Sequence, residues 1–130
     1  MASVFTKIIR GDIPSFKILE DESYFAFLDI RPINPGHTLV VPKAETDYLF
    51  DLEEKTLSGI LLFARTIVPA LEKTVPCRRI GLLVAGLEVP HAHLHLVPMI
   101  DEGDLTFDRA KPADPESLQT LAEKIRGQLS

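Results

Sequence analysis

The tract Pro90–His91–Ala92–His93–Leu94–His95–Leu96–Val97–Pro98 restricts the fold more than any other part of the chain. Three of the four histidines stand at i, i+2 and i+4 with apolar residues between and after them, the two-residue period of a β-strand. That spacing projects all three imidazoles from one face, about 6.6 Å between neighbours and about 13 Å between the outer two, at a rise of about 3.3 Å per residue. Ala92, Leu94 and Leu96 fall on the opposite face and supply the apolar contact that fixes the strand against a core. A lone histidine on such a strand is commonly a hydrogen-bonded structural group, but three crowded together cost stability unless each finds a partner. Neutral imidazole, with an unperturbed pKa of about 6.5, is a nucleophile, a proton carrier and a metal ligand. The row therefore points to chemistry or to metal binding.

A chain of 130 residues, 45% of them apolar and with mean hydropathy +0.12, suits one domain with a real core over residues 1–130. It has no apolar run of about 18 residues for a membrane span. Its first residues, Met1–Ala2–Ser3–Val4–Phe5–Thr6–Lys7, lack the basic and apolar regions of a signal peptide, so a cytoplasmic location is expected. The single Cys77 fits a reducing compartment and reads as an incidental thiol. A net charge of −5 argues against a general grip on nucleic acid, which needs a basic stripe. A mononucleotide needs only a few local donors and positive groups, which the histidines, Lys43 and Arg31 could supply. Lys73, Arg78 and Arg79 read as a solvated helix end.

In chain order, Ser3 can cap a short helix through Arg10 with Val4, Phe5 and Ile8 turned inward and Gly11 as its stop. The runs 16–21 and 23–29 read as an antiparallel hairpin across an acidic turn. Pro32, Pro35 and Gly36 make a rigid turn, and His37 to Val41 forms a third strand closed by Pro42. If that strand lies near the triad, His37 can hydrogen-bond to it as a proton relay. Asp51 with Glu54 resembles a capping box for a long amphipathic helix over about 51–75, which Pro69 should kink or end. Residues 80–85 read as a strand buried on both faces. Asp101–Asp104 is an acidic loop, and Asp114–Pro115 starts a C-terminal amphipathic helix through Leu118, Leu121, Ala122, Ile125 and Leu129.

The motif His91-x-His93-x-His95 resembles the signature of the histidine-triad (HIT) nucleotide hydrolases and transferases, and the chain as a whole is similar to Hint-like bacterial members. Phe25–Pro32 and Asn34–Lys43, with its Pro-Gly-His-x-Leu-x-x-Pro-Lys pattern, resemble the family's nucleoside-binding segments, so the likeness covers about residues 3 to 100. Residues 101–130 then form a C-terminal extension with a helix. The fold implied is α+β: an antiparallel sheet of about five strands with one long helix packed on it, plus short N-terminal and C-terminal helices. Many members hold zinc with a Cys-x-x-Cys pair near the N-terminus. The matching positions here are Ser3 and Thr6, with Glu45 in place of a further ligand, so no structural zinc and no cofactor are expected.

The resemblance makes His93 the nucleophile toward the α-phosphorus of a nucleotide, its Nδ1 proton held by a carbonyl such as that of His91. His95 would donate to a phosphate oxygen, with His91 and His37 forming the outer network. Asp29 would bind the ribose hydroxyls, although an Asp there also caps a turn. Ile30, Phe5, Ile9 and Phe27 are candidates to sandwich a base, and plain core packing would produce the same letters. The loop Gly86–Pro90 departs from the family, with Leu87 and Glu88 where Gln and a small polar residue are usual. Glu88 and Val89 are counted with the substrate-binding candidates; the carboxylate would repel a phosphate unless it turned outward or met a cationic amine. The leading expectation is cleavage of purine nucleoside phosphoramidates or related nucleotidyl compounds, by a homodimer holding an AMP-like ligand. The alternatives are hydrolysis of dinucleoside polyphosphates, a nucleotide-binding module with little catalysis, and a metal protein using the histidines with Glu88.

Overall fold

The computed structural model describes residues 2–129. Helix α1 spans Val4–Ile9, and Ser3 caps it by accepting from the Thr6 amide. With six residues it has room for one inward stripe, and Phe5, Ile8 and Ile9 take it. Val4 faces outward instead, contrary to the inward position expected for it. Strands β1 (Lys17–Glu20), β2 (Tyr24–Leu28) and β3 (Thr38–Pro42) form an antiparallel meander. Helix α2 (Glu54–Thr74) then carries the chain to β4 (Arg79–Leu83), which pairs antiparallel with β5 (Leu94–Met99). The sheet order β1-β2-β3-β5-β4 places β5 in the interior, paired on both sides. Helix α3 (Pro115–Gly127) closes the described chain, its cap Asp114 accepting from the Ser117 amide and Pro115 in the first turn, as the sequence predicts.

Alternation along the strands divides the core into two layers. Tyr24, Ala26, Leu28, Val40, Leu94 and Leu96 face α2 and α3, where they meet Ile60, Phe63, Ile67, Leu71, Leu118 and Ile125. Phe25, Phe27, Leu39 and Val41 face the other way and are covered by Phe5, with Ile8, Ile9 and Val89 at the margin. His95 shares that second face, because it lies between Leu94 and Leu96 and pairs with Leu39. The helices thus build the core on one side and leave the other to α1 and the histidines.

Two local expectations are corrected, the start of α2 and the burial of β4. The chain at Asp51 belongs to a short 3-10 turn (Leu49–Asp51), and α2 begins after Glu53 with no side-chain cap. Leu52 between them is buried in an extended conformation, which moves the helix start beyond the supposed capping box. Pro69 lies inside α2, which continues to Thr74. Strand β4 is an edge strand rather than one buried on both faces, and it stops at Leu83. Its Leu82 is 45% exposed. Among the described residues no helix is long and apolar enough to cross a membrane.

Candidate active site

The three triad histidines are not all on one strand. His95 is in β5, whereas His91 and His93 stand in the chain just before it. The β3 ladder stops at Val40 opposite Leu94, and beyond it the Pro42 carbonyl accepts from the His91 ring at 2.7 Å instead of from a strand amide. The rings still converge: His93 and His95 have centroids 4.9 Å apart. His37, just ahead of β3, lies within 2.9 Å of His95, nitrogen to nitrogen. The proximity on which its relay role depends is therefore present.

Hydrogen-bond partners assign a proton to every ring. The Ile33 amide donates to His37 Nδ1 at 3.0 Å, so the His37 proton is on Nε2 and goes to His95 Nδ1. His95 then carries its own proton on Nε2. His91 donates from Nε2 to Pro42 and accepts at Nδ1 from the Ser3 hydroxyl, 2.7 Å away. His93 donates from Nδ1 to the His91 carbonyl at 2.7 Å, which leaves Nε2 with a free lone pair. The site presents one bare ring nitrogen, on His93, beside one N–H donor, on His95.

All four rings are buried, His93 being 7% exposed. Burial lowers the pKa of His93 despite the bond to the His91 carbonyl, which favours the charged form. Burial first, then the neighbouring His37 and His93, push His95 down to about 3. His37 is also lowered by burial, with the Asp29 carboxylate opposing. At neutral pH the neutral forms of His37, His93 and His95 are the stable ones.

The remaining candidates surround this core unevenly. Asp29 Oδ1 accepts from the Arg31 amide at 2.9 Å, the turn-capping bond, while Oδ2 sits 3.6 Å from His37 Nε2. Phe5 lies edge-on to His91 and His93 with centroids at 5.7 and 4.9 Å, and Phe27 backs it at 5.6 Å. Both rings are buried, so they form a floor under the histidines. Ile9 and Val89 are half-buried at the margin of that floor, and Ile30 is 63% exposed. Glu88 is exposed, and its charge favours the protonated form of His93. Lys43, a candidate positive group, instead pairs with Glu20 at 2.7 Å, and the Arg31 guanidinium reaches the Ala110 carbonyl. Cys77 is half-buried, and burial pushes its thiol up, away from reactivity.

Two features had no signal in the sequence. Phe107, from the segment after β5, stands edge-on to His95 with centroids 4.9 Å apart. It is held there by a folded acidic turn in which the buried Asp104 accepts from the Ile100 and Asp101 amides and from Arg109. Those amide bonds, with the Arg109 contact, draw the Asp104 carboxyl down to about 2. The second feature is the hydroxyl of Ser3 on His91, since Ser3 read as a helix cap and as the replacement of a zinc ligand, with no bond to the triad.

Two places could attract a metal. Asp29, His37 and His95 offer ligand atoms within 4.8 Å of one another, but the His37–His95 hydrogen bond already occupies both ring nitrogens. Glu88 is not part of that group. Ser3, Thr6 and Glu45 gather at His91, where two hydroxyls and a carboxylate are bonded to each other and to the ring. Structural zinc takes thiolate, imidazole or carboxylate ligands, and neutral hydroxyls engaged as donors do not fit it.

A model of the HIT domain matches residues 10–101. A Saccharomyces cerevisiae protein named adenosine 5'-monophosphoramidase is 37% identical over 131 residues, covering 98% of this chain and 83% of its own. Among solved structures, a HIT-like protein from Bartonella henselae, described as involved in cell-cycle regulation and containing an unknown ligand, superposes with TM-score 0.85 at 32% identity. That alignment covers 98% of this chain and 96% of the other. A zinc-bound histidine-triad protein from Mycobacterium smegmatis gives TM-score 0.82 at 32% identity, over 98% and 92% of the two chains. Sequence, α+β fold and the ring geometry agree, and this chain belongs to the HIT domain family.

Proposed function

We propose that this protein is a nucleotide hydrolase that cleaves purine nucleoside phosphoramidates, or related nucleotidyl compounds, at the α-phosphorus. The observation that carries the reading is the bare Nε2 of His93, made so by the 2.7 Å bond from its Nδ1 to the His91 carbonyl. The phosphoramidase name of the yeast relative supports the substrate class. In the first step His93 Nε2 bonds to phosphorus and the P–N bond to the amine breaks, the amine taking a proton from solvent as it leaves. Water then attacks the same phosphorus and gives its proton to solvent while the P–Nε2 bond breaks, returning neutral His93 and releasing the nucleoside monophosphate. His95 Nε2–H donates to a phosphate oxygen throughout and offsets the charge that builds there. In this reading Asp29 binds the ribose and Ile30 the base, supported by the nearness of Asp29 Oδ2 to His37 and the exposure of Ile30. A homodimer belongs to this reading, with the exposed Leu61, Leu82 and the cavity of about 280 Å³ between α2 and β4 as the face for a second copy. His93→Ala is expected to abolish turnover of adenosine 5'-phosphoramidate with the circular dichroism spectrum unchanged. Full activity in that variant excludes the assignment.

A further inference from the structure

Side chains from two distant segments converge on His91. Ser3 and Thr6 come from the cap and first turn of α1, and Glu45 comes from the loop after β3. Each proton among them has an acceptor. Ser3 Oγ accepts from the Thr6 amide at 3.0 Å and gives its own proton to His91 Nδ1. Thr6 gives its hydroxyl proton to Glu45 Oε1, which also accepts from the Ser3 amide at 2.7 Å. The opposite nitrogen of His91 is tied to the Pro42 carbonyl, so the ring is held at both ends. Its main-chain carbonyl in turn orients His93, and the same helix presses Phe5 against both rings.

We propose that Ser3, Thr6 and Glu45 are positioning residues, a metal-free clamp that holds the Nδ1 end of the His91 ring and thereby aims His93 at the phosphorus. This rests on the reading of His93 as nucleophile. The clamp stands where the family resemblance places zinc ligands, and its groups are consumed in bonding one another. Hydrogen bonds from Ser3 and Thr6 draw the Glu45 carboxyl down to about 2, so it stays an acceptor at any pH at which the histidines work. Two consequences follow. Nucleotidyl transfer should be indifferent to chelators, and loss of the Ser3 hydroxyl should leave His91 Nδ1 without its donor and the ring held at its Pro42 end alone.

The test compares wild type, Ser3→Ala, Glu45→Ala and Glu45→Gln with adenosine 5'-phosphoramidate as substrate, alongside ring-nitrogen NMR of the histidines without substrate. Because Glu45 is exposed, its variants keep the test open should Ser3→Ala fail to fold. Ser3→Ala and Glu45→Ala are expected to lower kcat by about 10-fold to 100-fold with KM within about twofold, the signature of a misaimed group. Ser3→Ala should shift the His91 Nδ1 resonance as that nitrogen loses its donor, and Glu45→Gln, which keeps an acceptor, should recover most of kcat. EDTA should leave wild type unaffected. The clamp is refuted if kcat stays within about twofold in both alanine variants, if the His91 Nδ1 resonance is unchanged in Ser3→Ala, or if EDTA abolishes wild-type activity. Should wild type not turn over the phosphoramidate at all, the functional reading fails, and the His91 Nδ1 resonance in Ser3→Ala still decides the clamp.

Discussion

The chemistry of the site comes down to which nitrogen of each ring holds its proton. A buried imidazole with one committed donor bond resists a second proton, because the charged form loses hydration that the surrounding phenylalanines cannot replace. His93 is in that position, with its pKa lowered from 6.5 by burial. If the neutral ring is the attacking species, protonation at low pH removes activity and the acid limb of kcat/KM reports that event. The limb is expected to fall below 6.5, and removing the His91 carbonyl bond by disordering the clamp should change the rate more than it moves the limb. A pH profile measured in the free enzyme with limiting substrate checks this; a midpoint at or above 6.5 contradicts it. At this scale the sequence was generous with identities and silent on partners. The histidines were legible because strict alternation of a rare, titratable residue has few structural uses. The edge of Phe107 on His95 was not, since nothing local in Thr106–Phe107–Asp108 says which way a turn will fold back.

Among the elements, the turn Asn34–Pro35–Gly36–His37 does the most to deliver a histidine to the site. Its hydrogen bond runs from the His37 amide to the Asn34 carbonyl, and Gly36 has φ +94°, the left-handed value that the third position of such a turn requires. Asn34 ties the turn to β5 through the Pro98 carbonyl at 2.8 Å, so the turn fixes His37 relative to His95. A Cβ at residue 36 would stand 3.1 Å from Pro98 Cγ and 3.2 Å from Val75. Gly36→Ala therefore combines backbone strain with crowding and should cost about 1–3 kcal/mol, read as a lowered urea midpoint with kcat reduced as His37 shifts. An unchanged midpoint would show that the turn relaxes without strain. Elements with a stop signal or a clean period, such as β1, β2, β3 and α3, were readable from residue pattern alone. The edge strand β4 was not, because Ile80–Leu83 carries the same apolar letters whether a strand is covered on both faces or waits at an edge. The register break before β5 was hidden for a related reason: the His91 ring, not an amide, satisfies Pro42, and periodicity cannot see a side chain taking the place of a ladder bond.

For the molecule as a whole, a site made of buried neutral histidines sets how stability depends on pH. His37, His93 and His95 each have a lower pKa folded than unfolded, so over the interval between the two values the unfolded chain binds more protons, and stability falls as pH falls. For His95 that interval runs from 6.5 down to about 3, and the lowered His93 and His37 add to it in the same direction. The two strongly lowered carboxyls, Glu45 and Asp104 at about 2, work in the same sense but over a more acid range, beginning below the ordinary carboxylate values of 4.5 and 3.8. Loss of Tm on acidification should therefore start near neutrality, before any carboxylate titrates. Replacing His95 by Asn removes the largest histidine contribution while keeping a polar side chain in place. The expected result is a Tm that declines less steeply between about pH 7 and about pH 5 in His95→Asn than in wild type. Equal slopes in the two proteins would mean that the rings gain protons in the folded state as readily as in the unfolded chain. Burial would then not be what sets the protonation of His93.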